Sequence, residues 1–161
     1  MSCPARPRLR TSGGIARETP RPEAVTVIVD ASVALKWVIE EPGTDAALAL
    51  VADETLAAPD LLFIECANVL WVKVRRGQLS MADAKAALAA IEATPIRTIP
   101  TRLHATAAQA IAFDLGQTAY DSLYLAAAVA EQAMLVTADD AFAAAAAAHA
   151  LYRPLVRQLG A

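Results

Sequence analysis

The sequence predicts a single α/β domain, a central parallel sheet flanked by helices on both faces, and three observations carry that expectation. Short β-branched runs such as VTVIVD and MLVTA are almost continuously apolar, as strands buried on both faces are. They alternate along the chain with stretches of helical spacing that start at capping residues and stop at Gly or Pro, the order expected of a parallel sheet with crossover helices. The 161 residues are 57% hydrophobic but only 5% aromatic, so the interior must be built of Ala, Val, Leu and Ile, which suits helices packed on a sheet.

Residues 1–24 mix Pro, Arg, Gly and Ser without apolar periodicity and are expected to form a disordered basic extension, leaving 25–161 as the folded domain. VTVIVD reads as the first strand and ends on Asp30. ASVALKWVIEE follows with helical spacing until Pro42 and Gly43, a helix spans about 44–53, and TLAAP is a short strand. Asp60 is placed to cap the next helix, LLFIECANVLWVKVRR, whose last turn carries Arg75 and Arg76 ahead of Gly77. Ser80 with Asp83 resembles a capping box opening a helix to about Ala93. Pro95 then breaks the chain, IRTI reads as a strand, and helices run from about Arg102 to Asp114 and from Thr118 to Gln132. MLVTA is another strand, DDAFAAAAAAHA an Ala-rich helix, and LYRPLV a last edge strand in which Pro154 is tolerated.

Cys3 and Cys66 stand far apart with no Cys or His at ligand spacing, which argues against a disulfide framework and a zinc site and makes a reducing cytoplasm the expected setting. No apolar run reaches the roughly 18 residues of a membrane helix, and the amino terminus lacks the apolar core of a secretory signal. The formal charge is −3; residues 1–24 hold five Arg against two Glu, a local +3, which leaves −6 for the remainder. Such a domain is poorly suited to coating nucleic acid by counterion release, and an RNA substrate would need cations to help hold it.

Four acidic residues stand out. Asp30 ends the first strand and Asp139 follows MLVTA, so both fall where α/β sheets gather their ligands, beyond the carboxyl ends of the strands. An Asp in such a place is also an ordinary helix cap or turn residue. Glu65 and Asp121 lie inside predicted helices on the stripe that should be buried, Glu65 with Leu61, Leu62 and Val69, Asp121 with Leu125 and Ala128. A buried ion pair or a backbone hydrogen bond would also explain them, although few cations are near in sequence. Four carboxylates meeting in one crevice would repel one another unless a divalent cation neutralised them, and hard oxygen donors favour Mg²⁺ or Mn²⁺. Ions of that kind polarise phosphodiesters and help ionise water, which points to phosphodiester hydrolysis.

The segments VTVIVDASVALKW, LLFIECANVLW, AYDSLYLAAA and LVTADDAF, in this order and spacing, resemble the blocks of PIN-domain ribonucleases, closely those of the VapC toxins of toxin–antitoxin pairs. The likeness runs from about Val27 to Phe142. It implies a PIN-like parallel sheet flanked by helices, with the four acidic metal ligands at Asp30, Glu65, Asp121 and Asp139. It also implies Mg²⁺- or Mn²⁺-dependent endonucleolytic cleavage of RNA leaving 5′-phosphate and 3′-hydroxyl ends, a VapB-like antitoxin partner and a homodimer.

Ser32 and Thr137 match hydroxyl positions near the family's metal site and can bond a ligand carboxylate or a phosphate, or serve as turn and cap residues. Asn68, one turn after Glu65, can orient it or bond solvent. Asp140 reads as a solvated first-turn charge. Glu40 and Glu41 lie where similar proteins often carry acids, and an exposed charge pair at a helix end explains them equally well. Lys36, Lys73, Arg75 and Arg76 are candidates for RNA phosphate contacts, with helix-end stabilisation an alternative for the last two. Trp37 and Trp71 read as core or interface residues, and His104 and His149 lack the partners of a nucleophilic or His-metal site. The rival functions are a PIN-like module that binds without cutting, and a metal-dependent phosphatase or phospho-accepting receiver domain, which Glu65 and the LVTADDAF block fit less well.

Overall fold

A computed structural model describes residues 26–160, so the predicted extension at 1–24 lies outside the described residues. The chain runs β1 (Thr26–Val29), α1 (Ala31–Ala34), a 3₁₀ turn (Leu35–Trp37), α2 (Thr44–Asp53), β2 (Thr55–Pro59), α3 (Leu61–Arg75) and α4 (Met81–Ala93). There follow β3 (Ile96–Ile99), a 3₁₀ turn (Thr101–His104), α5 (Ala105–Leu115), α6 (Ala119–Glu131), β4 (Met134–Thr137), α7 (Asp140–Ala148), a 3₁₀ turn (Arg153–Leu155) and β5 (Val156–Gln158). The strands form one sheet in the order β3-β2-β1-β4-β5, and every pairing is parallel. Among the described residues no helix is long and apolar enough to cross a membrane.

That order fixes where a site can lie. From β1 the chain steps outward to β2 and β3, then crosses back to β4 on the other side of β1 and outward again to β5. Right-handed crossovers put α1–α4 on one face and α5–α7 on the other, and the connections leave β1 and β4 in opposite directions. Their carboxyl ends therefore flank an open crevice, the topological switch point at which α/β sheets bind ligands. Register holds the two strands level there, with Val29 opposite Val136.

The core is aliphatic. Ile28 and Val29 of β1, Leu135 and Val136 of β4, and Leu62 of α3 are wholly buried. Helix α6 lies across β1, β2 and β4 and buries an unbroken run from Ser122 to Ala128, with small Ala side chains letting it sit close to the sheet.

Four local expectations change. The helix predicted from Ala31 to Glu41 is one α-turn and a 3₁₀ turn that stops at Trp37. Pro42 disfavours helical geometry at Glu41, whose N–H donates to Thr44 Oγ1 at 3.0 Å, while Trp37 Nε1 donates to the Ala47 carbonyl at 3.0 Å and ties the turn to α2. Asp60 precedes α3 but makes no cap bond through its side chain. It accepts instead from Thr101 N–H at 3.0 Å and from the Thr101 hydroxyl, because β3 pairs beside β2 and delivers Thr101 there; Thr101 Oγ1 in turn accepts from Leu61 N–H at 3.3 Å. The helix expected from Arg102 starts as a 3₁₀ turn and becomes α-helical at Ala105. Pro154 lies in the last 3₁₀ turn, and the final strand starts only at Val156.

Candidate active site

Asp30 follows β1 directly and its side chain faces back into the first turn of α1, accepting from Val33 N–H at 3.1 Å. Two hydroxyls hold it further. Ser32 Oγ donates to Asp30 Oδ1 and accepts from Ala138 N–H at 2.8 Å. Thr137 Oγ1 donates to Asp30 Oδ2 and accepts from Asp139 N–H at 3.0 Å. Each hydroxyl thus passes a backbone donor of the loop after β4 on to the carboxylate after β1, lacing the two lips of the crevice together. Asp139 completes this side as the cap of α7, its Oδ1 accepting from Ala141 and Phe142 N–H at 2.9 and 3.0 Å.

The opposite wall comes from α3 and α6. Glu65 accepts from the hydroxyl of Tyr124, a buried residue of α6. Asp121 lies in the first turn of α6 rather than deep in a buried stripe, and it closes a cap with Thr118. Thr118 Oγ1 accepts from Asp121 N–H at 3.2 Å and donates to Asp121 Oδ2 at 2.6 Å. In Glu65, Asp121 and Asp139, then, one carboxylate oxygen is tied to the scaffold, and the other has no hydrogen-bond partner among the described residues.

All four acids line one cavity of about 200 Å³, together with Ala31, Ser32, Asn68, Val69 and Tyr124. Burial pushes the Asp30 carboxyl above its usual range, opposed by the bonds from Ser32, Thr137 and Val33 and reinforced by the charge of Asp139. Burial likewise raises Glu65, with Asp121 and Asp30 adding repulsion and the Tyr124 hydroxyl working against it. The neighbouring Cys66 is fully buried, and that burial with the charges of Glu65 and Asp30 pushes its thiol up to about 12, too high for a nucleophile. The acids supply hard oxygen donors to the cavity, with no thiol or imidazole among its lining residues, and Asp30 and Glu65 are held in an environment that disfavours their charged form, a donor set that suits a divalent cation such as Mg²⁺ or Mn²⁺. Among the described residues no three acidic, thiol or imidazole groups already close on a point as a finished cage. The carboxylates ring a space instead, and the free oxygens would have to draw inward.

The other sequence candidates sort by position. Ser32 and Thr137 both bond Asp30, and Asn68 is an exposed part of the cavity wall. Asp140 is exposed and accepts from Gln158. Glu40 is exposed, whereas Glu41 pairs with Lys36 and Lys73 beside the cavity. Arg75 lies over the ring of Trp71, 5.6 Å from its centroid, in an apolar groove between α3 and α4, and neither it nor Arg76 lines the acidic cavity. Trp37 is half-buried against the core, while Trp71 is 57% exposed. Sequence reasoning passed over Tyr124 and Thr118. The signal for Tyr124 was its place one turn after Asp121, with a hydroxyl inside the apolar run from Leu123 to Val129; that for Thr118 was its spacing of three from Asp121, the same capping pattern recognised at Ser80.

Comparison with known proteins agrees with this layout. No curated protein matches the chain. Among solved structures it is similar to PAE2754 from Pyrobaculum aerophilum, at 25% identity over 75% of this chain and 79% of that one, with a TM-score of 0.59. It is also similar in fold to VapC20 of Mycobacterium tuberculosis, described as a Sarcin-Ricin loop cleaving toxin (18% identity, 74% of this chain, 94% of that one, TM-score 0.56). A third is VapBC2 from Rickettsia felis bound to a DNA fragment from its promoter (14% identity, 83% of this chain, 98% of that one, TM-score 0.55). The family model described as PIN domain matches residues 27–148, from β1 to the end of α7 with all four acids inside it, and the chain belongs to the PIN-domain family.

Proposed function

We propose that this protein is a divalent-metal-dependent endoribonuclease and the toxin of a toxin–antitoxin pair. The observation that carries the nuclease reading is the meeting of Asp30, Glu65, Asp121 and Asp139, from four separate elements, on one cavity at the switch point of the sheet. Asp30, Asp121, Asp139 and Glu65 would hold Mg²⁺ or Mn²⁺, the last three through the oxygens that the scaffold leaves unpaired. A bound divalent cation supplies Lewis-acid polarisation of the phosphodiester and makes water a stronger nucleophile at neutral pH. The protein's own part is placement. Ser32 and Thr137 fix Asp30 against the loop after β4, Thr118 fixes Asp121, and Tyr124 fixes Glu65, so that the carboxylates are aimed before substrate arrives. Water attacks phosphorus in line, and the products carry 5′-phosphate and 3′-hydroxyl ends.

RNA as substrate and an antitoxin partner are supported by the likeness to VapC20, described as a Sarcin-Ricin loop cleaving toxin, and to VapBC2, and a homodimer is part of the same proposal. A protein partner is supported further by the apolar groove between α3 and α4, which is lined by Trp71 and Met81, both more than half exposed. Purified protein with Mg²⁺ or Mn²⁺ should cut RNA. Asp121→Asn keeps an acceptor for the Thr118 cap, so it should preserve the fold while lowering cleavage by more than the roughly 10–100-fold that loss of a metal's outer support costs. Equal cleavage by both proteins, or cleavage indifferent to a chelator, would sink the proposal.

A further inference from the structure

Beside the acidic cavity lies a second one of about 300 Å³, lined by Ser32, Leu35, Lys36, Glu41, Val69, Lys73 and Ala138. Ser32 and Val69 line both, so the two spaces share a wall, and that wall includes the hydroxyl that holds Asp30. Lys36 comes from the turn after α1 and Lys73 from the last turns of α3. Their ammonium groups converge on one carboxylate: Lys73 Nζ lies 2.9 Å from Glu41 Oε1, and Lys36 Nζ lies 3.4 Å from Glu41 Oε2. Lysine heads ordinarily stay in water, yet these side chains are only 15% and 26% exposed. Glu41 is anchored by its backbone, accepting from Thr44 N–H and donating to Thr44 Oγ1 at the start of α2. The Lys73 hydrogen bond foremost, with the two positive charges, keeps the Glu41 carboxyl below the usual carboxylate range, so it is ionised at neutral pH.

We propose that Lys36 and Lys73, held together by Glu41, form a subsite for the RNA phosphate next to the one that is cleaved. This rests on the ribonuclease reading and adds to it the residues that bring a polyanion to a ring of carboxylates. Two ammonium groups and one carboxylate leave a single net positive charge, which one phosphodiester neutralises. An ion pair largely withdrawn from water loses in desolvation about what it gains in attraction, so the fold gains little from gathering these charges at one spot. The substrate gains a cationic foothold directly beside an acidic cavity that by itself repels it. Arg75 lines the groove on the other side of α3 and offers no such path.

The test uses the full chain and a short fluorescein-labelled single-stranded RNA, with binding followed by anisotropy across a KCl series in EDTA and cleavage followed separately in Mn²⁺. Lys36→Met and Lys73→Met are each expected to weaken binding, to reduce the slope of log K against log salt by about 0.7, and to raise KM. Lys73→Arg should restore the slope, and Lys85→Met, an exposed lysine on α4, should leave it as in the wild type. Glu41→Gln keeps both ammonium groups and raises the net charge from one to two, so the slope should be at least that of the wild type, while kcat/KM should fall because the pair is no longer held in register. Wild-type slope and KM in both Met variants would mean an ion pair of structural use only and would overturn the subsite; undiminished kcat/KM in Glu41→Gln would overturn the holding role. The anisotropy slope is read without cleavage, so a wild type that cuts no RNA refutes the nuclease reading separately.

Discussion

The same chemical change, serine to alanine, should move stability in opposite directions at two places in this fold. At Ser32 the hydroxyl stands between Ala138 N–H, 2.8 Å away, and the carboxylate of Asp30. Removing it deletes a hydrogen bond to a charged acceptor, about 1.5–3 kcal/mol, and leaves a backbone donor unpaired, about 1–3 kcal/mol. Asp30 lines an open cavity, so water recovers part of this, and a net loss of about 2–4 kcal/mol is expected. For a chain of this length that lowers Tm by roughly 5–15 °C. At Ser122 the side chain is fully buried in α6, and its Oγ has no hydrogen-bond partner among the described residues. Alanine there removes a desolvated polar atom and favours the helix, so Ser122→Ala should gain about 1–2 kcal/mol. Urea unfolding of the wild type and both variants in EDTA gives the two changes directly. A Ser32→Ala midpoint equal to that of the wild type, or a destabilised Ser122→Ala, would refute the reasoning from hydrogen-bond accounting.

Cation binding should itself be visible as stability. Mn²⁺ at about a hundred times its dissociation constant adds about 2.7 kcal/mol, and Asp30→Asn should remove most of that gain; an equal shift in the variant would place the ion elsewhere. The pH dependence has a definite sign. Asp30 and Glu65 titrate above their usual range, so in EDTA the folded chain keeps protons that the unfolded chain has already released. Stability should therefore fall as pH rises from the ordinary carboxylate range of about 3.9–4.3 through the raised values, then level off. Glu41 and Asp60, both lowered, contribute the opposite slope, but only below that range. Saturating Mn²⁺ should abolish the decline because the ion competes with those protons, and a midpoint that rises across this window in EDTA contradicts the assignment.

Local sequence carried the architecture far. Apolar β-branched runs placed β1 and β4, and the capping pattern at Ser80 marked the start of α4, with the bond from Asp83 N–H now seen at 3.0 Å. Those signals are legible because backbone preference and the burial of one stripe are properties of a few neighbouring residues. The acids Asp30, Glu65, Asp121 and Asp139 were legible for a related reason. Charge at a strand end or on an apolar stripe is conspicuous where it stands, and the four segments that hold it keep their order along the chain. What each acid touches was not written locally. Thr137 reaches Asp30 across 107 positions only because β1 and β4 pair in register, and Tyr124 meets Glu65 across 59 because α6 crosses the sheet where it does. Asp60 illustrates the converse, a residue with the right local pattern for a cap whose partner was reassigned when β3 brought Thr101 alongside. The lysines divide the same way. By sequence Lys36, Lys73, Arg75 and Arg76 were all candidates for phosphate contact, the last two with a helix-end role as an alternative, and packing turned Arg75 toward Trp71 and joined the two lysines at Glu41. Periodicity and capping are encoded within a turn or two of chain, whereas hydrogen-bond partners across a sheet are chosen by register and helix placement, which depend on the whole core closing at once.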